Sequence, residues 1–219
     1  MERILRAQAG WEDRIADALA RADRPIPLDE RLLPRDTDGR VLRRRRDRAT
    51  FAPARPAATL LALYPDDGGL VIPLTVRHAA MRDHAGEVSL PGGAVDSADA
   101  DPEAAALREA WEEIGLEGEL VRVVGALDDV WIPVSNFELR PFVGTLAGRP
   151  TLVPHDAEVS AIVELPLEAL FDDRVLGVEE FDSRGFTVRA GAYRFGGVRV
   201  WGATALTLGM LAHVLRESA

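Results

Sequence analysis

Three glutamates, Glu109, Glu112 and Glu113, lie close together in a segment that also carries Arg108, and a Pro91-Gly92-Gly93 run precedes them. On a helix, at about 100° per residue, Glu113 falls about 40° to one side of Glu109 and Glu112 about 60° to the other, so the three carboxylates share an arc about 100° wide. Like charges so spaced cost about a few tenths of a kcal/mol each, a cost that a divalent cation among them reverses. Zinc prefers Cys and His ligands, and the chain has no Cys and only His78, His84, His155 and His213, with no H-x-x-x-H pair. Oxygen-only ligands point to Mg²⁺, with Mn²⁺ next. Magnesium held by a few carboxylates completes its shell with water and substrate phosphates, so the chemistry is phosphoryl transfer to water. Gly92-Gly93 reads as a turn that lets backbone approach a ligand closely. Arg108 is placed either to hold a carboxylate or to contact phosphate.

A helix over Asp101 to Ile114 is expected to carry the glutamates. Asp101 suits the N-cap, Pro102 the first helical position, Glu103 the positive end of the dipole, and Gly115 the residue beyond the end. Leu107, Ala110, Trp111 and Ile114 fall on the side away from Glu109 and are expected to face the core. Runs rich in Val, Ile, Leu and Phe mark strands at Ala58–Tyr64, Leu70–Arg77, Glu119–Leu127, Phe137–Leu146 and Glu158–Leu165. Short terminal strands are expected at Phe186–Val188, Tyr193–Phe195 and Val198–Trp201, and a further helix at Thr204–Leu215. Gly148–Pro154 and Asp172–Arg184 read as loops. Strands and helices mix without regular βαβ alternation, which favours an α+β fold, an α/β/α sandwich, over a doubly wound sheet. Trp11–Ala22 reads as an amphipathic helix. It begins a lead-in segment, residues 1–56, rich in Arg and Pro and including Arg43-Arg44-Arg45-Arg46; residues 57–219 form the main domain.

Composition narrows the function. The chain has 219 residues, a net charge of −10 and a pI of about 4.9. Its acidic balance argues against broad binding of nucleic acid or anionic membrane. Every basic residue other than His is Arg; without Lys or Cys, Schiff-base and thiol-nucleophile chemistry is excluded. The longest apolar stretch, Trp201–Leu215, is shorter than the about 20 residues a membrane helix needs. The expected compartment is the cytoplasm and the expected partner a small molecule, with a homodimer left open.

Taken together, Pro-Gly-Gly, a short acidic loop, a capped helix and R-E-x-x-E-E-x-G-L resemble the signature of the Nudix hydrolases, G-x5-E-x7-R-E-U-x-E-E-x-G-U, where U is aliphatic. The resemblance implies a mixed β-sheet flanked by helices, and hydrolysis of a nucleoside diphosphate linked to another group with Mg²⁺ or Mn²⁺. It assigns Glu109, Glu112 and Glu113 to metal binding, Arg108 to their support, and Gly93 to the first glycine. Here the glycine-to-arginine interval is one residue longer, Asp99 stands where the pattern has its first Glu, and Ala110 replaces a bulkier aliphatic residue. These departures resemble the coenzyme A diphosphatase subgroup. So do Leu74-Thr75-Val76-Arg77-His78, Arg82, Gly86-Glu87, Leu90-Pro91-Gly92-Gly93 and the late Trp201-Gly202-Ala203-Thr204-Ala205. Here His78 and Leu90 replace the subgroup's Ser and Phe.

The subgroup resemblance implies coenzyme A or its thioesters as substrate, with 3′,5′-ADP and 4′-phosphopantetheine released. Such a ligand is strongly anionic, and Arg77 and Arg82 are candidate phosphate contacts, with pairing to Asp83 or Glu87 as the other reading. The resemblance leaves the general base open among Glu109, Glu158 and, less strongly, His84 and His155. Other substrates of the same chemistry stay open: ADP-ribose, a dinucleotide or an oxidised nucleotide. A non-catalytic nucleotide sensor and a module whose arginine segment docks a partner are the readings of another class.

Overall fold

Strand β1 (Arg55–Asp66) is the axis of the molecule, and its alternation builds both layers of core. A computed structural model describes residues 6–42, 53–67, 69–78, 87–155, 157–183 and 186–218. Arg43 to Arg46, Arg82, Asp83, His84 and Gly86 lie outside the described residues. Ala58, Leu60, Ala62 and Tyr64 point to one face of β1, and Leu61 and Leu63 to the other, as period-two geometry requires. Helix α2 (Pro102–Ile114) covers the first face with Ala105, Ala106, Ala110 and Ile114. Helices α1 (Trp11–Arg21) and α3 (Gly202–Glu217) cover the second, burying Trp11, Ile15 and Leu19 beside Leu208, Met210 and Leu211. This is the expected sandwich of a mixed sheet between helices.

The sheet explains how the Pro-Gly-Gly run reaches the helix. Strand β7 (Phe137–Thr145) pairs with β1 in parallel from Arg55↔Phe137 to Leu63↔Thr145. The remaining pairings are antiparallel. Strand β2 (Gly69–Arg77) returns beside the far end of β1, and β3 (Val88–Ser89) and β8 (Val159–Pro166) flank β2. Strand β4 (Gly92–Ala94) pairs with the near end of β1 through Thr59↔Gly92, Ala58↔Gly93 and Ala57↔Ala94. Strands β5 (Arg122–Ala126) and β6 (Val130–Ile132) both pair with β7. A second sheet holds β9 (Leu176–Ser183), β10 (Phe186–Phe195) and β11 (Val198–Val200).

Several expectations need correction. Gly92-Gly93 is extended strand, not a turn, because both residues add a ladder to β1. Residues Leu176–Ser183 are a strand rather than part of a loop; the charged Glu179 and Glu180 hide it in the sequence yet suit an exposed sheet edge. The separate strands expected at Phe186–Val188 and Tyr193–Phe195 are one continuous strand, and Val130–Ile132 is a strand that the sequence reading did not name. Trp111 is 55% exposed, whereas Glu113 is 5% exposed. The helix is rotated so that its small residues, Ala105 and Ala106, meet the sheet, which carries Glu113 inward and Trp111 outward.

The helix ends are as expected. The Asp101 carboxylate accepts a hydrogen bond from the Ala104 N–H at 2.8 Å, Pro102 opens the first turn, and Gly115 closes the last with φ 66°. Asp101→Ala is expected to lower stability by about 1 kcal/mol, read as a lower midpoint of chemical denaturation at unchanged slope. Among the described residues no helix is long and apolar enough to cross a membrane. The lead-in segment is pinned to the main fold. Arg24 donates to Asp128 at 2.6 Å and to the Ala126 carbonyl at 2.7 Å, and the Ile26 N–H donates to the other Asp128 oxygen at 2.5 Å.

Candidate active site

The site forms where β4 runs under α2. Two contacts hold the Pro91 carbonyl: the Leu60 N–H donates at 2.9 Å and the Thr59 hydroxyl at 2.6 Å. The next two residues have room for no side chain. A Cβ on Gly92 would run into the Ala58 carbonyl and stand 2.7 Å from the Thr59 Cα; one on Gly93 would run into the Glu109 carboxylate, 2.5 Å from its Cδ. The glycines therefore let the strand and the glutamate-bearing helix approach until backbone meets carboxylate.

Arg108 organises the outer half of this arrangement. Its Nε donates to Asp99 Oδ1 at 2.9 Å and its Nη2 to Asp99 Oδ2 at 3.1 Å, a two-point contact. Nη2 also donates to the Ala94 carbonyl at 3.1 Å. Nη1 donates to Glu109 Oε1 at 3.0 Å and to Glu112 Oε2 at 2.9 Å, so one positive group draws two of the carboxylates together. The guanidinium holds the Asp99 carboxyl below its usual range. Arg108 thus reaches Glu109, Glu112 and a strand carbonyl at once. The sequence singles out Asp99 as the stand-in for the pattern's first Glu but not its contact: its carboxylate, 5% exposed, anchors Arg108.

The inner half is a buried negative charge. The Gly92 N–H donates to Glu113 Oε2 at 3.3 Å. Burial pushes the Glu113 carboxyl up to about 7, the nearby Glu109 charge adds to this, and the Gly92 N–H and the Arg77 charge oppose it. Glu109 is raised as well, first by burial, with Glu112 and Glu158 adding and Arg108 opposing. Glu158 lies on the exposed turn leading into β8, where its carbonyl accepts from the His78 N–H at 3.0 Å, and its charge reaches both glutamates. Arg77 sits where the β2–β8 register shifts between Val76 and Arg77. Such a bulge re-aims a side chain beside a site. The His155 N–H donates to the Glu113 carbonyl at 2.9 Å, tying the loop before Glu158 to the helix end.

The structure thus brings together Glu109, Glu112, Glu113, Arg108, Gly92 and Gly93, with Arg77 and Glu158 within electrostatic reach; Arg82 lies outside the described residues. The donors suit a hard divalent cation: they are carboxylates, and two of them are raised by burial and by neighbouring like charge, which a cation would offset. Among the described residues no three acidic or histidine side chains stand already gathered about one point.

Residues 53–184 match the NUDIX domain model. The chain belongs to the Nudix family. It is 41% identical to the "Uncharacterized Nudix hydrolase NudL" of Enterobacter sp. (strain 638) over 69% of this chain and 78% of that one. It is 38% identical to "Nudix hydrolase 22, chloroplastic" of Arabidopsis thaliana over 76% of this chain. It spans 57% of that plant protein's length and 62% of the length of the related "Nudix hydrolase 15, mitochondrial". Among solved structures it is similar to a MutT protein from Methanosarcina mazei Go1, at 18% identity and TM-score 0.49, over 75% of this chain and 95% of that one. Enzymes of this Nudix family generally need a divalent cation, and Glu109, Glu112 and Glu113 lie within the matched span.

Proposed function

We propose that this Nudix chain hydrolyses the diphosphate bond of coenzyme A or its thioesters, giving 3′,5′-ADP and 4′-phosphopantetheine or its acyl form. The observation that carries hydrolysis is the half-buried Glu109 and buried Glu113 facing the Gly92-Gly93 strand, with Arg108 locked on Asp99. The coenzyme A substrate is supported by the longer loop ending in that Asp99 contact, by Arg77 at the bulge beside Glu113, and by the subgroup motif around them.

Glu109, Glu112 and Glu113 are the residues that would hold Mg²⁺ or Mn²⁺, which supplies neutralisation of phosphate charge and a lowered pKa for water. Around it the chain performs the remaining tasks. A carboxylate, Glu109 or Glu158, takes a proton from the attacking water. The water oxygen bonds to one phosphorus as the bridging P–O bond breaks, and the bridging oxygen leaves with the other phosphate. Arg77 stabilises the added negative charge. Arg108 acts through Glu109 and Glu112, fixing where their oxygens stand. Glycine at position 93 keeps Glu109 against the strand.

A substrate panel tests the specificity. With coenzyme A, acetyl-coenzyme A, ADP-ribose, a dinucleotide and an oxidised nucleotide compared at equal enzyme, the coenzyme A compounds are expected to show kcat/KM at least about tenfold above the rest, a difference of about 1.4 kcal/mol in transition-state binding. A higher kcat/KM for ADP-ribose or the dinucleotide keeps the catalytic arrangement and removes this substrate. Binding of all five with no turnover favours the sensor.

A further inference from the structure

Away from the glutamates, the lead-in segment, the turn after β8 and helix α3 enclose a cavity of about 150 Å³. A single buried water needs only about 10–15 Å³ of such space, so the cavity has room for a small ligand. Much of its wall comes from parts of the chain outside the span matched by the family model, the lead-in with Asp29 and Arg31 and α3 with Gly209, His213 and Arg216.

Two features set this cavity apart from an ordinary crevice. The first is Tyr193 of β10. The residue is 2% exposed, and its hydroxyl lies 3.7 Å from the place a Cβ on Gly209 would take. The hydroxyl makes no hydrogen bond to a described residue and is not sealed from solvent, and Tyr193 lines the cavity. Burial pushes that hydroxyl up to about 12, with the Asp29 charge adding and those of Arg216 and Arg31 opposing. It is therefore a protonated donor at neutral pH.

The second feature is which charges are already matched. Arg31 donates to Asp29 at 2.7 Å and to Asp173 at 3.0 Å, and Arg174 donates to Asp172 at 2.8 Å. Each acidic group of the wall thus has an arginine partner, with Arg31 serving two of them. Arg216 rests over the Phe171 ring, 5.4 Å from its centroid, and forms no ion pair with a described residue. His213 and Arg216 follow Gly209 at spacings of four and three, which puts all of them on one face of α3. The groups left over are all hydrogen-bond donors or can become so: a guanidinium, an imidazole and a phenol.

We propose that this cavity is a second ligand site, which takes a small molecule by one oxyanion group, phosphate or carboxylate, held by Arg216, His213 and the Tyr193 hydroxyl. It is separate from the diphosphate site and does not depend on which substrate is hydrolysed there. The test is a titration of the full chain, with and without Mg²⁺, followed by the NMR signals of Gly209, His213 and Arg216, using inorganic phosphate in one series and acetate in another. Saturable shifts at these residues are expected without Mg²⁺ as well as with it. Affinity is expected to fall about tenfold in Arg216→Ala and in Tyr193→Phe, the second of which removes one hydroxyl and leaves the ring. Turnover at the glutamate site is expected to stay at the wild-type level in both. Tighter binding of phosphate identifies a phosphate ligand, and tighter binding of acetate a carboxylate. No saturable shift at these residues with either anion, or equal affinity in wild type and both variants, overturns the proposal.

Discussion

Glu109→Gln is expected to lower kcat by about a thousandfold while leaving the metal-free protein at least as stable as the wild type. The loss follows from the two roles that Glu109 is proposed to share, cation ligand and candidate acceptor of the water proton. Removing a positioned proton acceptor costs about 10²–10⁴ in rate. The stability follows from what surrounds the carboxylate. It is half-buried, with the Glu112 and Glu158 charges beside it, so the neutral amide of the same shape relieves repulsion. Arg108 keeps its two-point contact with Asp99 in the variant. The checks are steady-state kinetics and thermal unfolding with and without Mg²⁺ or Mn²⁺. Wild type should gain stability from the metal and the variant should gain much less. Full turnover in Glu109→Gln assigns the chemistry to other residues.

Gly93→Ala is expected to lower kcat by about a hundredfold at little cost in stability, and Gly92→Ala to cost about 1–3 kcal/mol of stability. The adjacent glycines differ in what a methyl group would meet. At position 93 it meets the Glu109 carboxylate, the far end of a side chain that can swing away and take the reacting geometry with it. At position 92 it meets the Ala58 carbonyl and the Thr59 Cα, which belong to the central strand and cannot move alone. Paired kinetics and denaturation curves separate the two. Equal losses of activity and stability in both variants would contradict the close approach of β4 to α2.

The contrast shows what the residues alone disclose. Helix α2 was legible because its signals are local: Asp101 before it, Pro102 opening it, Gly115 ending it, and glutamates at spacings that only a helix gathers. The sandwich was legible because apolar strand candidates and helices mix without a βαβ rhythm. The rotation of α2 was not, since Trp111 and Ile114 are both apolar and only contact with the sheet decides which is buried. Nor was the anchoring of Arg108. Asp99 precedes it by nine residues, and their pairing depends on the path of the loop between β4 and the helix, which no periodicity encodes. Strand β9 escaped notice for a related reason: an exposed edge tolerates the acidic residues that elsewhere mark a loop.

The central claim is that carboxylates and a divalent cation together cleave a diphosphate bond of coenzyme A. Its most direct test is mass-resolved analysis of the products when coenzyme A is incubated with the protein in Mg²⁺, in Mn²⁺ and in chelator. The expected result is 3′,5′-ADP and 4′-phosphopantetheine in equal amounts with metal and neither with chelator. Intact coenzyme A in both metals, or equal hydrolysis in chelator, would contradict it.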